Sequence, residues 1–387
     1  MKILFVTPFY FPEHKFGGPP RKVHSVASGL AGRGHQVAVA TFDSEHPRRQ
    51  DNQEMDGVPV QYLRWLGGGL KQCPLDLRQL AHLVQGAEVV HVYGLYNLLC
   101  PVAVLLARRQ GRPVVLEPLG MYPPRARNQP AKRLYNRVFT RWMARGAAAV
   151  LAASAAEERD LHPLASPEKI VLRRNGTDVS AFEQLPPGVS LCARWNVAAD
   201  ERIVLFVGRL SPVKNLEQMI LAFAQAHLAR TRLVLVGPHT EADYVARLRG
   251  LIAAQQLGEQ VLLAGPLYEE EQKAALSLAD LFVLPSLNES FGNAAAEAVA
   301  AGVPVLLTDT CGIASMIHER AGLAVPLGVE NIARGLQEML VDPDRRHQLT
   351  ARRAEVVREL HWDGPIRQTE QLYARLLQPT ATPEAAP

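Results

Sequence analysis

The chain has 387 residues, 48% apolar and 21% charged, which is a prior for two domains and enough apolar side chain for two cores. Its net charge of +4 is modest but uneven: residues 1–185 carry 24 Lys/Arg against 15 Asp/Glu, and residues 186–387 carry 18 against 23. One half therefore meets something acidic, unless the charges scatter by chance. The chain opens on MKILFVTPFYF, with Lys2 before a short apolar run and no small-residue cleavage site, so residues 3–7 read as a strand and not a signal peptide. A helix follows over 21–33, with Val23, Val26, Ala27 and Leu30 on one face. Strands are expected at 36–41, 58–64, 89–92, 113–117 and 148–152. Residues 95–107 form the longest apolar stretch, too short to span a bilayer. Continuous apolar strands alternating with helices make a parallel sheet covered on both faces.

Residues 186–200, bearing Pro and Gly, read as a linker between domains at 1–185 and 201–360. The second domain has expected strands at 203–207, 232–236, 261–264, 281–284 and 303–307. Its helices are expected at 216–227, 242–256, 269–277 and 294–301; Leu216, Met219, Ile220 and Phe223 keep the spacing of a one-faced helix. Residues 351–377 look helical, with Trp362 and Pro365 breaking the run, which leaves a last helix at 361–378. The tail 379–387, PTATPEAAP, lacks apolar periodicity and is expected to be disordered. Cys73, Cys100, Cys192 and Cys311 lie far apart without a CxxC pair. No disulfide framework or zinc site is expected, and a reducing cytoplasm fits. The class is α/β, two doubly wound Rossmann-like domains whose ligand site lies outside the carboxyl ends of the strands, in the cleft between domains.

Two motifs carry chemistry. In FVGRLSPVKN, residues 206–215, a strand ends, Gly208 turns the chain and a helix opens near Asn215. Arg209 and Lys214 thus lie near a helix N-terminus, where backbone N–H groups and two cations suit a diphosphate; the alternative is a pair of solvated loop charges. The glycine pattern of a P-loop is absent. In NESFGNAAAE, residues 288–297, Gly292 permits close backbone approach, and the N–H groups of Gly292, Asn293 and Ala294 are free at the helix start. Glu289 before the helix and Glu297 within it can each accept two hydroxyl protons, as a vicinal diol offers. A capping role is the alternative for Glu289. For Glu297, in an alanine-rich helix expected to be buried, a ligand is the better account.

Glu289 and Glu297, preceded by Gly208-Arg209 and Lys214-Asn215, resemble the C-terminal domain of family 4 glycosyltransferases with the GT-B fold. Gly17-Gly18, Gly34-His35-Gln36-Val37, Asn175-Gly176-Thr177-Asp178 and Gly302-Val303-Pro304-Val305 agree in order along almost the whole chain. The resemblance implies a retaining enzyme that needs no metal or other cofactor. It would move a sugar from a nucleotide-diphosphate donor, UDP- or GDP-linked, to a polysaccharide, lipid-linked or other acidic acceptor. It implies that domain 1–185 binds the acceptor, that domain 201–360 binds the nucleotide sugar, and that the last helix crosses back to the N-terminal domain. Arg209 and Lys214 would hold the diphosphate, Gly17 and Gly18 would lie over the donor phosphate, and Glu297 would bind the ribose. Glu289 would contact the donor sugar with the Phe291–Gly292–Asn293 backbone nearby, and Leu267 and Tyr268 would flank the base. His91, expected at a strand end facing the cleft, would contact sugar or acceptor, or else is a structural histidine. The chain departs from the family in having Tyr93 where a second His is frequent and Ser315 where a carboxylate is usual.

From 118 to 156 there is no acidic residue, yet seven cations occur: Arg125, Arg127, Lys132, Arg133, Arg137, Arg141 and Arg145. The last four recur every fourth residue and would line one helix face beside Leu134, Val138, Phe139 and Trp142. That pattern suits an anionic acceptor or the inner face of a membrane, which implies a cytoplasmic, peripherally attached protein; the alternative is a solvated face. No nucleic-acid module accompanies the patch. Competing functions are an epimerase or hydrolase acting on sugar nucleotides in the same fold, and a non-catalytic sugar-nucleotide-binding assembly partner. A dinucleotide oxidoreductase is disfavoured because no G-x-G-x-x-G follows a strand, and Gly67–Gly69 lack that spacing.

Overall fold

The computed structural model describes residues 1–13, 18–124, 128–239 and 242–378. Gly17, Arg125, Arg127 and the tail 379–387 lie outside the described residues. The described residues form two compact units, one within 1–174 with 362–378 and the other within 175–361. The division at Arg174/Asn175 precedes the stretch expected as a linker. Residues 186–200 instead carry the helix Val189–Trp195 inside the second unit, where Leu191 and Trp195 are buried. The composition of that stretch hid two buried anchors spaced one helical turn apart.

The first unit is built on an eight-stranded sheet. Its order is Ile170–Leu172, Ala149–Ala152, Val114–Glu117, Val89–Tyr93, Lys2–Val6, Gln36–Thr41, Val58–Tyr62 and Asn52–Met55. All neighbours pair in parallel except the last two, an edge hairpin. Its central strands are buried along their length, because helices cover both faces. Gly18 opens the first helix, Gly18–Gly32. The last helix, Asp363–Leu377, packs on it. Gly29 makes that packing close, since a Cβ there would stand 2.1 Å from Ile366 Cδ1. Glu370 seals the contact with His35 at 2.9 Å and Arg33 at 2.8 Å. Pro365 does not break this helix but lies in its first turn, where its missing N–H would have no intrahelical partner.

The second unit has a six-stranded sheet, parallel throughout. Its order is Val261–Gly265, Thr231–Val236, Arg202–Val207, Leu281–Leu284, Val305–Thr308 and Gly322–Val325. This is the doubly wound 3-2-1-4-5-6 order, and it reverses direction between Arg202–Val207 and Leu281–Leu284. The loops leaving these two strands therefore flank the switch point, and they are the two motifs singled out in the sequence.

Candidate functional site

Three contacts join the loops at the switch point of the second unit. Leu287 N–H donates to Val213 O at 2.9 Å, Asn215 Nδ2 donates to Pro285 O at 3.1 Å, and Lys214 Nζ pairs with Glu289. Close backbone approach is needed for this. Gly237, at φ +146°, lies against the first loop, where a Cβ would stand 1.9 Å from Gly208 O. Gly292, at φ +115°, lets the second loop enter the helix Asn293–Ala300; a Cβ there would stand 3.0 Å from Ile313 Cγ2. The outer side of that loop is held by Gly312 N–H to Glu289 O at 2.9 Å and Ile313 N–H to Phe291 O at 2.8 Å. Thr308 and Thr310 hydroxyls both donate to Ser286 O, at 2.7 and 2.6 Å.

Lys214 and Glu289 are each about one-fifth exposed, at 19% and 21%. That leaves Lys214 two further N–H donors with access to solvent. Arg209 is exposed and makes no ion pair among the described residues. Phe291 is buried beneath the loop and Asn293 is half-buried, its Oδ1 accepting from Asn175 Nδ2 at 3.2 Å. The first helical bond runs from Ala296 N–H to Gly292 O, so the N–H groups of Asn293 and Ala294 precede the ladder. Tyr268, just after the edge strand Val261–Gly265, is 55% exposed, whereas Leu267 is buried. Glu297 differs from its expectation of burial and isolation. Ala295, Ala296 and Ala298 turn into the core, while Glu297 is half-buried and has an interaction partner. Ser315 is exposed on the short helix Ala314–Ile317.

His91 does not face a surface. It is fully buried in the first unit, its Nδ1 2.5 Å from Tyr373 Oη and its Nε2 3.5 Å from Glu117 Oε2. Burial pushes its imidazole down to about 4, so it is neutral at physiological pH. Tyr93, at the place of the second His, stacks on it with ring centroids 4.0 Å apart. Neither side chain is exposed to solvent, because the strand Val89–Tyr93 is central and covered on both faces. The carboxylate that organises this region is Glu117, which pairs with Lys22 and, at 2.6 Å, with Arg173. Burial alone would raise its pKa, but the Arg173 and Lys22 charges outweigh burial and hold it far below the carboxylate range. The signal for this node is a lone Glu ending the apolar strand VVLE. The groups around it lie 95, 56 and 256 residues away along the chain in Lys22, Arg173 and Tyr373, so spacing could not show them.

The basic stretch is helical from 129 to 146, with a π turn at Asn136–Thr140. Arg137, Arg141 and Arg145 come together with Arg108 of the helix Leu99–Arg109, which sequence spacing does not join to them. Lys132 lies instead over the Tyr96 ring at 5.1 Å, and Arg133 donates to Gln129 at 3.1 Å. Among the described residues no helix is long and apolar enough to cross a membrane, and no three His, Cys, Asp or Glu side chains are grouped to hold a metal ion. All four cysteines are free thiols.

Residues 193–356 match the family of group 1 glycosyl transferases, and residues 17–176 match the glycosyl transferase 4-like domain. A D-inositol 3-phosphate glycosyltransferase of Kineococcus radiotolerans is 28% identical, over 96% of this chain and 93% of its own length. A glycogen synthase of Mycobacterium tuberculosis is 26% identical over 96% and 94%. Among solved structures, Anabaena HepE in complex with UDP and glucose superposes with a TM-score of 0.77 at 20% identity, covering 97% of this chain and 99% of that one. Sucrose-phosphate synthase of Thermosynechococcus elongatus gives 0.75 at 22%, covering 97% and 99%. With an N-terminal 4-like domain, a C-terminal group 1 domain and the GT-B fold, the chain belongs to the family 4 glycosyltransferases and is a transferase enzyme.

Proposed function

We propose that the protein is a retaining, metal-independent glycosyltransferase that takes a sugar from a UDP- or GDP-sugar and delivers it to a polysaccharide, lipid-linked or other acidic acceptor. The observation that carries this reading is the Lys214–Glu289 pair, which ties the two loops at the switch point of a 3-2-1-4-5-6 sheet. Lys214 can keep one N–H on Glu289 and still offer two to a diphosphate oxygen. Exposed Arg209, on the same loop, adds the second cation. As the sugar–phosphate bond breaks, negative charge grows on the leaving diphosphate. The Lys214 and Arg209 cations and the N–H groups of Asn293 and Ala294 stabilise it, in the role a metal ion fills elsewhere. Glu289 accepts hydroxyl protons of the sugar, Glu297 those of the ribose, and Tyr268 offers a ring to the base. The same reading makes the basic face of the first unit its meeting place with an anionic acceptor or membrane, on the cytoplasmic side.

A thermal-shift panel of UDP-, GDP- and ADP-sugars tests the donor class. At a hundredfold excess over its dissociation constant the true donor stabilises by about 2.7 kcal/mol. Proton NMR of fresh product then reads the anomer. No response to any nucleotide sugar removes the donor assignment, and an inverted anomer removes the retaining one.

A further inference from the structure

Four arginines share one cavity on the first unit, and among the described residues no carboxylate lines it with them. Arg108, Arg137, Arg141 and Arg145, with Val138, Trp142 and Gly146, surround a cavity of about 380 Å³. Residues four apart drift by about 40° per step around an α-helix, so three arginines at that spacing would fan apart. The π turn at Asn136–Thr140, where Arg141 N–H reaches back to Asn136 O, widens the coil and takes back part of the drift. Arg108 arrives from another helix. Gly146 makes room for it, since a Cβ there would stand 2.8 Å from Arg108 Nη1, and its guanidinium carbon lies 5.6 Å from the Trp142 ring centroid.

Arginines near a helix C-terminus can simply offset its dipole. Here Lys169 Nζ already donates to Arg145 O and Ala147 O, both at 3.2 Å, and Arg141 and Arg137 lie one and two turns further back. The place of the cavity also matters. Both helices end just before the strands Val114–Glu117 and Ala149–Ala152, at the amino edge of the sheet. Doubly wound domains handle reacting ligands at the opposite, carboxyl edge. Large apolar side chains stand exposed around the arginines, with Leu134 at 64%, Val138 at 51% and, one turn before Arg108, Leu105 at 37%. A soluble phosphate gains nothing from these, whereas a bilayer interface takes both chemistries.

We infer that this cavity docks the first unit on an anionic phospholipid surface, its arginines on the lipid phosphates and Leu134 and Val138 at the acyl boundary. This deepens the reading of the basic face given above. Its test uses no sugar donor, so the two readings fail separately. The full chain is sedimented with phosphatidylcholine vesicles, with or without ~30% phosphatidylglycerol, at low and high salt. The wild type should prefer the anionic vesicles at least about tenfold and release them as salt rises. Arg108, Arg137, Arg141 and Arg145, all changed to Gln, should lower that binding by about two to three orders of magnitude, at roughly 1 kcal/mol per cation. Changing Arg78, Arg249, Arg358 and Arg375 to Gln, a charge-matched control, should leave it within about twofold. Leu134→Ser with Val138→Ser should weaken it with the charges intact. Unchanged binding in the quadruple variant, equal loss in the control, or displacement by millimolar glycerol phosphate overturns the inference.

Discussion

Substituting His91 by Gln separates a structural histidine from a catalytic one. In the folded chain burial holds His91 at about 4, against 6.5 for the solvated side chain. Between those values the unfolded chain binds a proton that the folded chain refuses. The stabilising effect is complete above about pH 6.5 and is lost as pH falls towards about 4. At about 1.36 kcal/mol per unit, the window amounts to ~3 kcal/mol. In His91→Gln the new amide can still accept from the Tyr373 hydroxyl but cannot be protonated, so the packing penalty of the variant is independent of pH. Urea unfolding followed by tryptophan fluorescence should show the wild type losing ~3 kcal/mol more than His91→Gln between pH ~6.5 and ~4. The comparison cancels the acid sensitivity of carboxylates common to both. Turnover of the variant near neutral pH should stay within about tenfold of wild type, since the ring is fully buried against Tyr373 and Glu117. Equal pH slopes refute the linkage. Equal slopes with turnover lost by orders of magnitude would return His91 to the reacting centre.

The remaining expectations concern the donor site. Lys214→Ala and Arg209→Ala should each weaken nucleotide-diphosphate binding by about 1.5–3 kcal/mol in calorimetry and reduce transfer further, with the melting temperature kept; near-normal turnover in both would remove the diphosphate assignment. Glu297→Gln, which replaces one acceptor oxygen by a donor, should weaken the intact donor by about 1–3 kcal/mol, and an unchanged dissociation constant would leave Glu297 a structural role. Transfer should persist in excess chelator; complete loss rescued by manganese or magnesium would contradict a diphosphate held by cationic side chains alone.

Much of the architecture is local in origin and could be read along the chain. Apolar runs such as 36–41 and 281–284 are strands because a parallel sheet is covered on both faces, and that shows without knowing the neighbours. The two loops of the second unit were legible for the same reason: Gly208 and Gly292 mark turns next to strand ends, with cations and carboxylates set between. What the sequence could not hold was the partnership of side chains far apart in it. The residue types of Lys214 and Glu289 were evident, but their pairing depends on strand order, which brings loops 75 residues apart to one switch point. His91 read as a cleft residue because a strand end is where ligands bind. Its actual surroundings, Glu117, Tyr93 and Tyr373, come from neighbouring strands and a helix 282 residues away. Glu297 read as buried because its neighbours are alanine, yet helix orientation turned those alanines inward and left the carboxylate at the margin. The arginine face followed from a period of four. The cavity it forms needed Arg108 from another helix and a π turn, and only tertiary packing could supply either.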